Sequence, residues 1–195
     1  LNDPSIYLLL SCALARMLFA ASEENGDCSS LTTSLLDFAI QVLRKGAAAD
    51  DMISPFIVFS IQYIMVNHMN WKHKKYSRWK TTLKVFELVK SCIQVKPFLS
   101  KLGGIIWQML LYDSSIHNVL WHNVCTSMQL LESRGSFSNG VEDIEDIQLV
   151  LCCGLDIIFF MLSNLPEDLM PVAPFVTLVL SSSLKPLPFI TATIS

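Results

Sequence analysis

Apolar residues recur along most of this chain at intervals of three and four positions, the spacing of an α-helix with one covered face. The clearest stripe is Trp79, Leu83, Phe86, Val89 and Ile93, with lysines on the opposite side. The same spacing predicts helices over about 4–21, 31–45, 55–67, 76–95, 105–112, 116–132, 142–163 and 175–183. No stretch combines sustained alternation with hairpin turns, so the pattern predicts no strands.

Local signals place several of the predicted boundaries. Asp113, followed by two serines and an apolar stretch, is typical of an N-cap for the helix that starts near Ile116. Four acids between positions 142 and 146 suit the positive end of the next helix dipole. Gly103 and Gly104 predict a break before the helix at 105–112, because glycine is a poor helix former.

The order of these elements predicts an all-α fold. Predicted helix starts near Leu31, Tyr76 and Ile116 are spaced like the two-helix repeats of HEAT or armadillo proteins, about 40–47 residues each. We therefore expect residues 1–195 to form one irregular α-solenoid of antiparallel helix pairs, with no further domain division. The chain opens at Leu1 rather than Met, and we expect it to be an internal segment of a longer protein.

Composition changes this picture in one respect. Hydrophobic residues make up 52% of the chain and charged residues 16%, against about 25% charged in an ordinary globular domain. Either neighbouring protein covers much of the surface or the chain lies in a membrane. We expect no membrane span, because the apolar runs are short or interrupted by charges such as Arg16 and Asp156.

Net charge and cysteine usage indicate the class of ligand and the cellular compartment. The net charge of −3 argues against a general nucleic-acid binder. Six cysteines occur without a Cys-x-x-Cys spacing, and five of them lie in apolar helical stretches, where a thiol is expected to pack as a small hydrophobe. This usage predicts a reducing compartment, the cytosol or the nucleus.

No catalytic constellation is evident in the sequence. The histidines form two pairs spaced by five residues, His68 with His73 and His117 with His122, whereas helical zinc ligands are normally four apart. No phosphate-binding glycine loop or nucleophile elbow occurs. We predict a protein that is not an enzyme and has no metal, cofactor or small-molecule substrate.

One basic and aromatic segment is the candidate contact site: Trp71, Lys74, Lys75, Arg78 and Trp79. Aromatic residues interleaved with bases are typical of contacts with nucleic acid or an acidic peptide. The alternative is a loop that enters a helix, with Trp79 in the core and the lysines in water. The acidic balance of the chain favours this alternative, and an acidic protein segment as ligand over RNA.

Several strings in the second half of the chain resemble a known family. They are YSRWKTTLKVFELVK at 76–90 with the preceding Trp71-Lys72, LLYDSSIHN at 110–118, DIIFFMLS at 156–163 and SLKP at 183–186. In this order they resemble the large α-solenoid scaffold nucleoporins of the nuclear pore inner ring, in particular the plant-like form of the nucleoporin one-eighty-eight family. The similarity extends over about 71–195, and it includes no catalytic signature.

The resemblance implies a structural role in the nuclear envelope. Such proteins build the inner ring of the pore, bind linker nucleoporins and help to anchor channel nucleoporins, and so support transport of proteins and mRNA. Two other classes stay open: a karyopherin-like or armadillo-like peptide carrier, and an α-helical membrane protein. A ladder of Trp and Asn typical of the peptide carrier is not evident in the sequence.

Overall fold

A computed structural model describes the second half of the chain most fully. The described residues are 9, 12–13, 16, 33–34, 36–41, 57–58, 61–62, 65, 78–94, 101–132, 141–165 and 174–183. All of these residues are helical except Asp113 and Leu165, and no strand occurs among them. The predicted all-α class is therefore confirmed.

Five helices have defined bounds, and four of them agree with the predicted spans to within two residues, whereas the second begins four residues earlier than predicted. They are α1 (Arg78–Gln94), α2 (Lys101–Tyr112), α3 (Ser114–Glu132), α4 (Val141–Asn164) and α5 (Pro174–Ser183). Earlier in the chain, the described residues between 33 and 41 and between 57 and 65 are also helical, as predicted.

The boundary between α2 and α3 is a single residue, Asp113. Its amide donates to the Met109 carbonyl at 3.0 Å, which completes the last turn of α2, and its carbonyl accepts from the amide of His117 at 3.0 Å. Its carboxylate oxygen Oδ1 also accepts a hydrogen bond from the Ser115 amide at 2.9 Å. The predicted N-cap is confirmed, since this carboxylate satisfies an amide that the first turn of α3 leaves without a helical partner.

The predicted break at Gly103 and Gly104 is wrong, because α2 begins at Lys101 and includes both glycines. The physical reason is the burial of Leu102 and Ile106, which lie one turn apart and are 1% and 0% exposed. Burying such a side chain stabilises the helix by about 1.5–3 kcal/mol, more than the roughly 1 kcal/mol that each glycine costs.

The core lies where α1 to α4 meet. α4 makes its most extensive contacts with α1 and α3, α2 bridges α1 and α3, and α5 lies against α2 and α3. Fully buried side chains come from every helix, among them Phe86, Ile106, Leu120, Val150, Ile157 and Phe175. Trp107 of α2 contacts Phe160 of α4 edge to face, with ring centroids 6.1 Å apart.

The helices contact one another in a different order from that expected for a simple stack of helix pairs. Such a stack would place α1 beside α3 and α2 beside α4, whereas the extensive pairing of α1 with α4 closes the four helices into a ring. Within the described residues a solenoid repeat is therefore not evident, and the solenoid arrangement stays a prediction.

Candidate functional site

A groove of about 450 Å³ lies between α1 and α4. One wall consists of residues one and two turns apart on α1, and the other of residues spaced in the same way on α4. Its lining residues are Leu83, Glu87, Lys90, Ser91 and Gln94 of α1, and Leu149, Cys152, Cys153 and Asp156 of α4. The groove is thus bordered by mostly polar side chains on α1 and by mixed apolar and polar side chains on α4.

α1 is held firmly enough to serve as a fixed wall. Its predicted stripe is buried, with Phe86 and Val89 each 1% exposed and Ile93 fully covered. On the other side of the helix, Thr81 and Leu88 are also buried, at 2% and 0% exposed. Because α1 is covered on several sides, its groove residues project from a helix that has little freedom to move.

Ion pairs neutralise both lysines beside the groove. The Nζ atom of Lys84 lies 2.9 Å from Oδ1 of Asp37 and 3.0 Å from Oε2 of Glu87. Burial alone would lower the pKa of Lys84, but the hydrogen bonds to Asp37 and Glu87 outweigh it and raise that pKa above its usual value.

The second ion pair crosses the groove. The Nζ atom of Lys90 donates to Oδ2 of Asp156 at 2.5 Å and so joins α1 to α4. The hydrogen bond that Lys90 donates to Asp156 raises the pKa of Lys90 above its usual value, against a smaller lowering by burial. The carboxylate of Asp156, the charged group in this apolar stretch of α4, therefore has a partner and is also partly exposed to solvent.

The side of α4 that faces away from the core is also apolar. Phe159 is 74% exposed, and Leu149 and Leu155 are each 46% exposed. Together with the exposed residues Glu145, Gln148, Cys152 and Asp156, they form one side of the helix, which we call the outer face of α4. It borders the groove along Leu149, Cys152 and Asp156.

Two adjacent cysteines on α4 have different environments. Cys153 is buried, and this burial raises the pKa of its thiol to about 12. Since the thiolate is the reactive form, Cys153 stays protonated near neutral pH and is a poor nucleophile or metal ligand. Cys152 is exposed, as is Cys12, so the expectation that such cysteines pack as small hydrophobes is wrong for these two. For Cys152 the expectation fails because adjacent helical positions point about 100° apart, and Cys153 is the one that points into the core.

A buried histidine lies away from the groove, where α2, α3 and α5 meet. His117 is 3% exposed, and its ring lies 5.9 Å from the ring of Phe175 on α5. Desolvation lowers the pKa of His117, against smaller raising effects from a backbone hydrogen bond with Leu110 and from the charge of Asp113. Its Nδ1 atom has no hydrogen-bond partner among the described residues.

The basic and aromatic segment singled out in the sequence lies mostly outside the described residues, which do not include Trp71, Lys74 or Lys75. Arg78 is the first residue of α1. Trp79 is 7% exposed, which fits a core position better than a contact surface. The role of this segment in binding stays a prediction.

The histidine pairs are only partly described. His117 is buried on α3 and His122 is exposed on the same helix, while His68 and His73 lie outside the described residues. In the part of the chain that the structure describes, no three His, Cys, Asp or Glu side chains are grouped so that they could hold a metal ion.

Sequence reasoning did not identify the groove or the outer face of α4. The signal that was available is the composition of α4, which is apolar on nearly all sides rather than along one stripe. A helix that is apolar all round is normally covered all round, so exposed positions such as Leu155 and Phe159 mark a surface with a role.

One helix among the described residues is long and apolar enough to cross a membrane, judged by length and composition alone. It is Ile144–Asn164 within α4, and 39% of the 18-residue window that meets the criterion is buried. The core helix of a globular protein meets the same criterion, so this finding is weak evidence. Asp156 lies inside this stretch, where it pairs with Lys90.

Comparisons with known proteins give no further information on function, which is therefore inferred from the fold and the groove. No protein-family model matches the chain, and neither a curated protein nor a solved structure does. The described residues define an all-α protein with a groove and a partly exposed apolar helix.

Proposed function

We propose that this chain is a non-catalytic, protein-binding segment of an α-helical scaffold. The observation that carries the proposal is α4, which has apolar residues on two sides, while the other described helices cover only one of them. Inside the core its residues Val150 and Ile157 are 0% exposed, whereas Phe159 on the outer face is 74% exposed. An exposed apolar surface of this kind is typical of a protein interface.

The chemistry of the groove supports binding rather than catalysis. A catalytic acid, base or nucleophile needs a pKa suited to proton transfer or attack near neutral pH. Lys90, which lines the groove, and the neighbouring Lys84 are both paired and have raised pKa values, and the buried thiol of Cys153 has a pKa of about 12. These groups are suited to holding helices together and to bordering a ligand.

The particular scaffold is proposed from the resemblance. Three of the four nucleoporin-like strings lie largely on α1, at the junction of α2 and α3, and on the second half of α4. We therefore propose a segment of an inner-ring scaffold nucleoporin of the nuclear pore, closest to the nucleoporin one-eighty-eight family. Its partners are linker and channel nucleoporins, and it forms part of a longer irregular solenoid that supports nucleocytoplasmic transport.

The test is affinity capture of the protein at its natural level, with cross-linking before lysis and identification of the linked peptides. The proposal expects inner-ring nucleoporins among the proteins linked to this chain. Recovery of soluble cargo with no pore protein would overturn it and favour an armadillo-like peptide carrier. Recovery of enzymes of one pathway, with measurable activity, would overturn the non-catalytic assignment.

The apolar stretch Ile144–Asn164 favours one second candidate, an α-helical membrane protein. Alkaline carbonate extraction of membranes separates the two proposals. A scaffold segment is released into the supernatant, whereas a spanning protein stays in the membrane pellet. The ion pair between Asp156 and Lys90 in this stretch favours release, because a charge at the centre of a spanning helix costs about 2.5–3.5 kcal/mol.

A further inference from the structure

We propose that the outer face of α4, with the groove beside it, binds an amphipathic helix of another protein that carries an apolar stripe and, at one end, a Lys or Arg that pairs with Glu145. This inference rests on the proposed binding function and names the chemistry of the partner. It concerns one surface only, so other surfaces of the chain can mediate scaffold assembly independently of it.

The apolar part of the surface has the length of a short helix. Leu149, Leu155 and Phe159 lie along the outer face, and the first and last are ten positions apart, which corresponds to about 15 Å of helix. Three turns of a partner helix cover that distance, and its residues at i, i+3, i+4 and i+7 can contact such a row. The groove between α1 and α4 lies directly beside this row and gives the partner side chains a place to insert.

The charges beside the row specify the polar end of the partner. Lys84 is shared by two carboxylates, those of Asp37 and Glu87, and Lys90 is paired with Asp156. Lys80 of α1 is a further exposed base, but on the outer face itself the described charged residues are the acids Glu145 and Asp156, of which Asp156 is the one paired with Lys90. The surface therefore has an excess of negative charge at the start of α4, and a basic residue on the partner complements it.

The same charges distinguish a protein partner from a membrane surface. Helices that lie on membranes carry Lys and Arg on their polar side, which attract anionic lipids. α4 has five acids and neither Lys nor Arg. An anionic lipid surface is repelled by this pattern, whereas a basic amphipathic helix is attracted.

A second copy of this chain is disfavoured for a related reason. If two outer faces met, each Glu145 would approach a helix that has no base to pair with it. Acids buried without partners weaken association, so the surface suits a partner with the opposite charge better than it suits itself.

The experiment uses the full chain and two synthetic helical peptides of about five turns. Both peptides carry the same leucine stripe, and one ends in two lysines where the other ends in two glutamates. Fluorescence anisotropy gives the Kd of each peptide for the wild type and for the variants Phe159→Ser, Glu145→Lys and Tyr112→Ser. Tyr112 is the matched control, because it is a similarly exposed aromatic residue, 49% accessible, at the end of α2.

The proposal expects the lysine peptide to bind the wild type at least tenfold more tightly than the glutamate peptide. Phe159→Ser should weaken both peptides at least tenfold, Glu145→Lys should reverse their order, and Tyr112→Ser should change neither. Equal binding of the two peptides, or no binding, overturns the proposal. It is also overturned if Phe159→Ser abolishes flotation with phosphatidylserine vesicles or converts a wild-type dimer to a monomer. If the peptides do not bind as expected but inner-ring nucleoporins are cross-linked to other surfaces of the chain, this inference is wrong and the proposed scaffold function is retained.

Discussion

The inner and outer faces of α4 contain similar residues in different surroundings. Val150, Ile157 and Met161 on the inner face are at most 1% exposed, whereas Leu149, Leu155 and Phe159 on the outer face are between 46% and 74% exposed. Hydrophobicity alone therefore does not tell which side of this helix holds the fold together. Burial does, and it separates residues that stabilise the chain from residues that are available to a partner.

The largest difference in stability is expected between truncation of a phenylalanine that packs against the inner face of α4 and truncation of one on its outer face. Phe86 of α1 is 1% exposed and lies against the inner face of α4, so Phe86→Ala should lower the free energy of unfolding by about 3–5 kcal/mol. Phe159→Ala should change it by no more than about 0.5 kcal/mol, as for most surface substitutions. Urea denaturation followed by circular dichroism measures both, and equal losses would contradict the assignment of faces.

Filling the space at Gly154 should be the next largest effect. A Cβ atom there would lie 2.5 Å from Cγ2 of Val124 and 3.1 Å from Cε2 of Phe86. Because the Val124 side chain is stiff, Gly154→Ala should cost about 1–2 kcal/mol despite alanine's better helix propensity. The control is Gln148→Ala on the outer face, which should be neutral. An equally or more stable Gly154→Ala protein, judged by its thermal midpoint, would show that α3 and α4 are less tightly packed.

Lowering the pH should destabilise the junction of α2, α3 and α5 through His117. The pKa of His117 in the folded chain lies below the ordinary value of 6.5. As the pH falls, the unfolded chain therefore binds a proton at this histidine more readily than the folded chain does. Stability is therefore full above about pH 6.5 and falls as the pH decreases towards the folded-state pKa, by at most about 1.4 kcal/mol per pH unit for one proton. Denaturation curves between about pH 7.5 and 5.5 measure the slope.

A histidine on the same helix provides the control for this slope. His117→Gln should flatten the dependence, whereas His122→Gln should retain it because His122 is exposed. A slope that survives His117→Gln would assign the proton uptake to another group.

Breaking the ion pair across the groove should have the smallest effect. The side chains of Lys90 and Asp156 are 31% and 57% exposed, so solvent screens their attraction. Asp156→Asn should cost no more than about 1 kcal/mol, and less at high salt. A double-mutant cycle with Lys90→Gln isolates the pairwise energy. A coupling well above this value at high salt would mean that the groove is more enclosed than the exposures indicate.

Local features were predictable where neighbouring residues determine them. The stripe of α1 follows from its own spacing, and the N-cap of α3 follows from Asp113 and the two serines after it. Gly103 was misjudged because long-range burial of Leu102 and Ile106 outweighs local propensity. The pairing of α1 with α4, and hence the groove, was not predictable, since it depends on contacts between residues about 60–70 positions apart, such as Lys90 and Asp156.

The two adjacent thiols of α4 allow the most direct test of the account. Cys152 lies on the exposed outer face and Cys153 is buried, so their alkylation rates report the two environments separately. In the isolated chain, iodoacetamide should modify Cys152 rapidly and Cys153 slowly, as quantified by mass spectrometry. In the native assembly Cys152 should become protected while Cys153 stays slow. Equal labelling of Cys152 in the isolated chain and in the assembly would contradict the claim that a partner covers the outer face of α4.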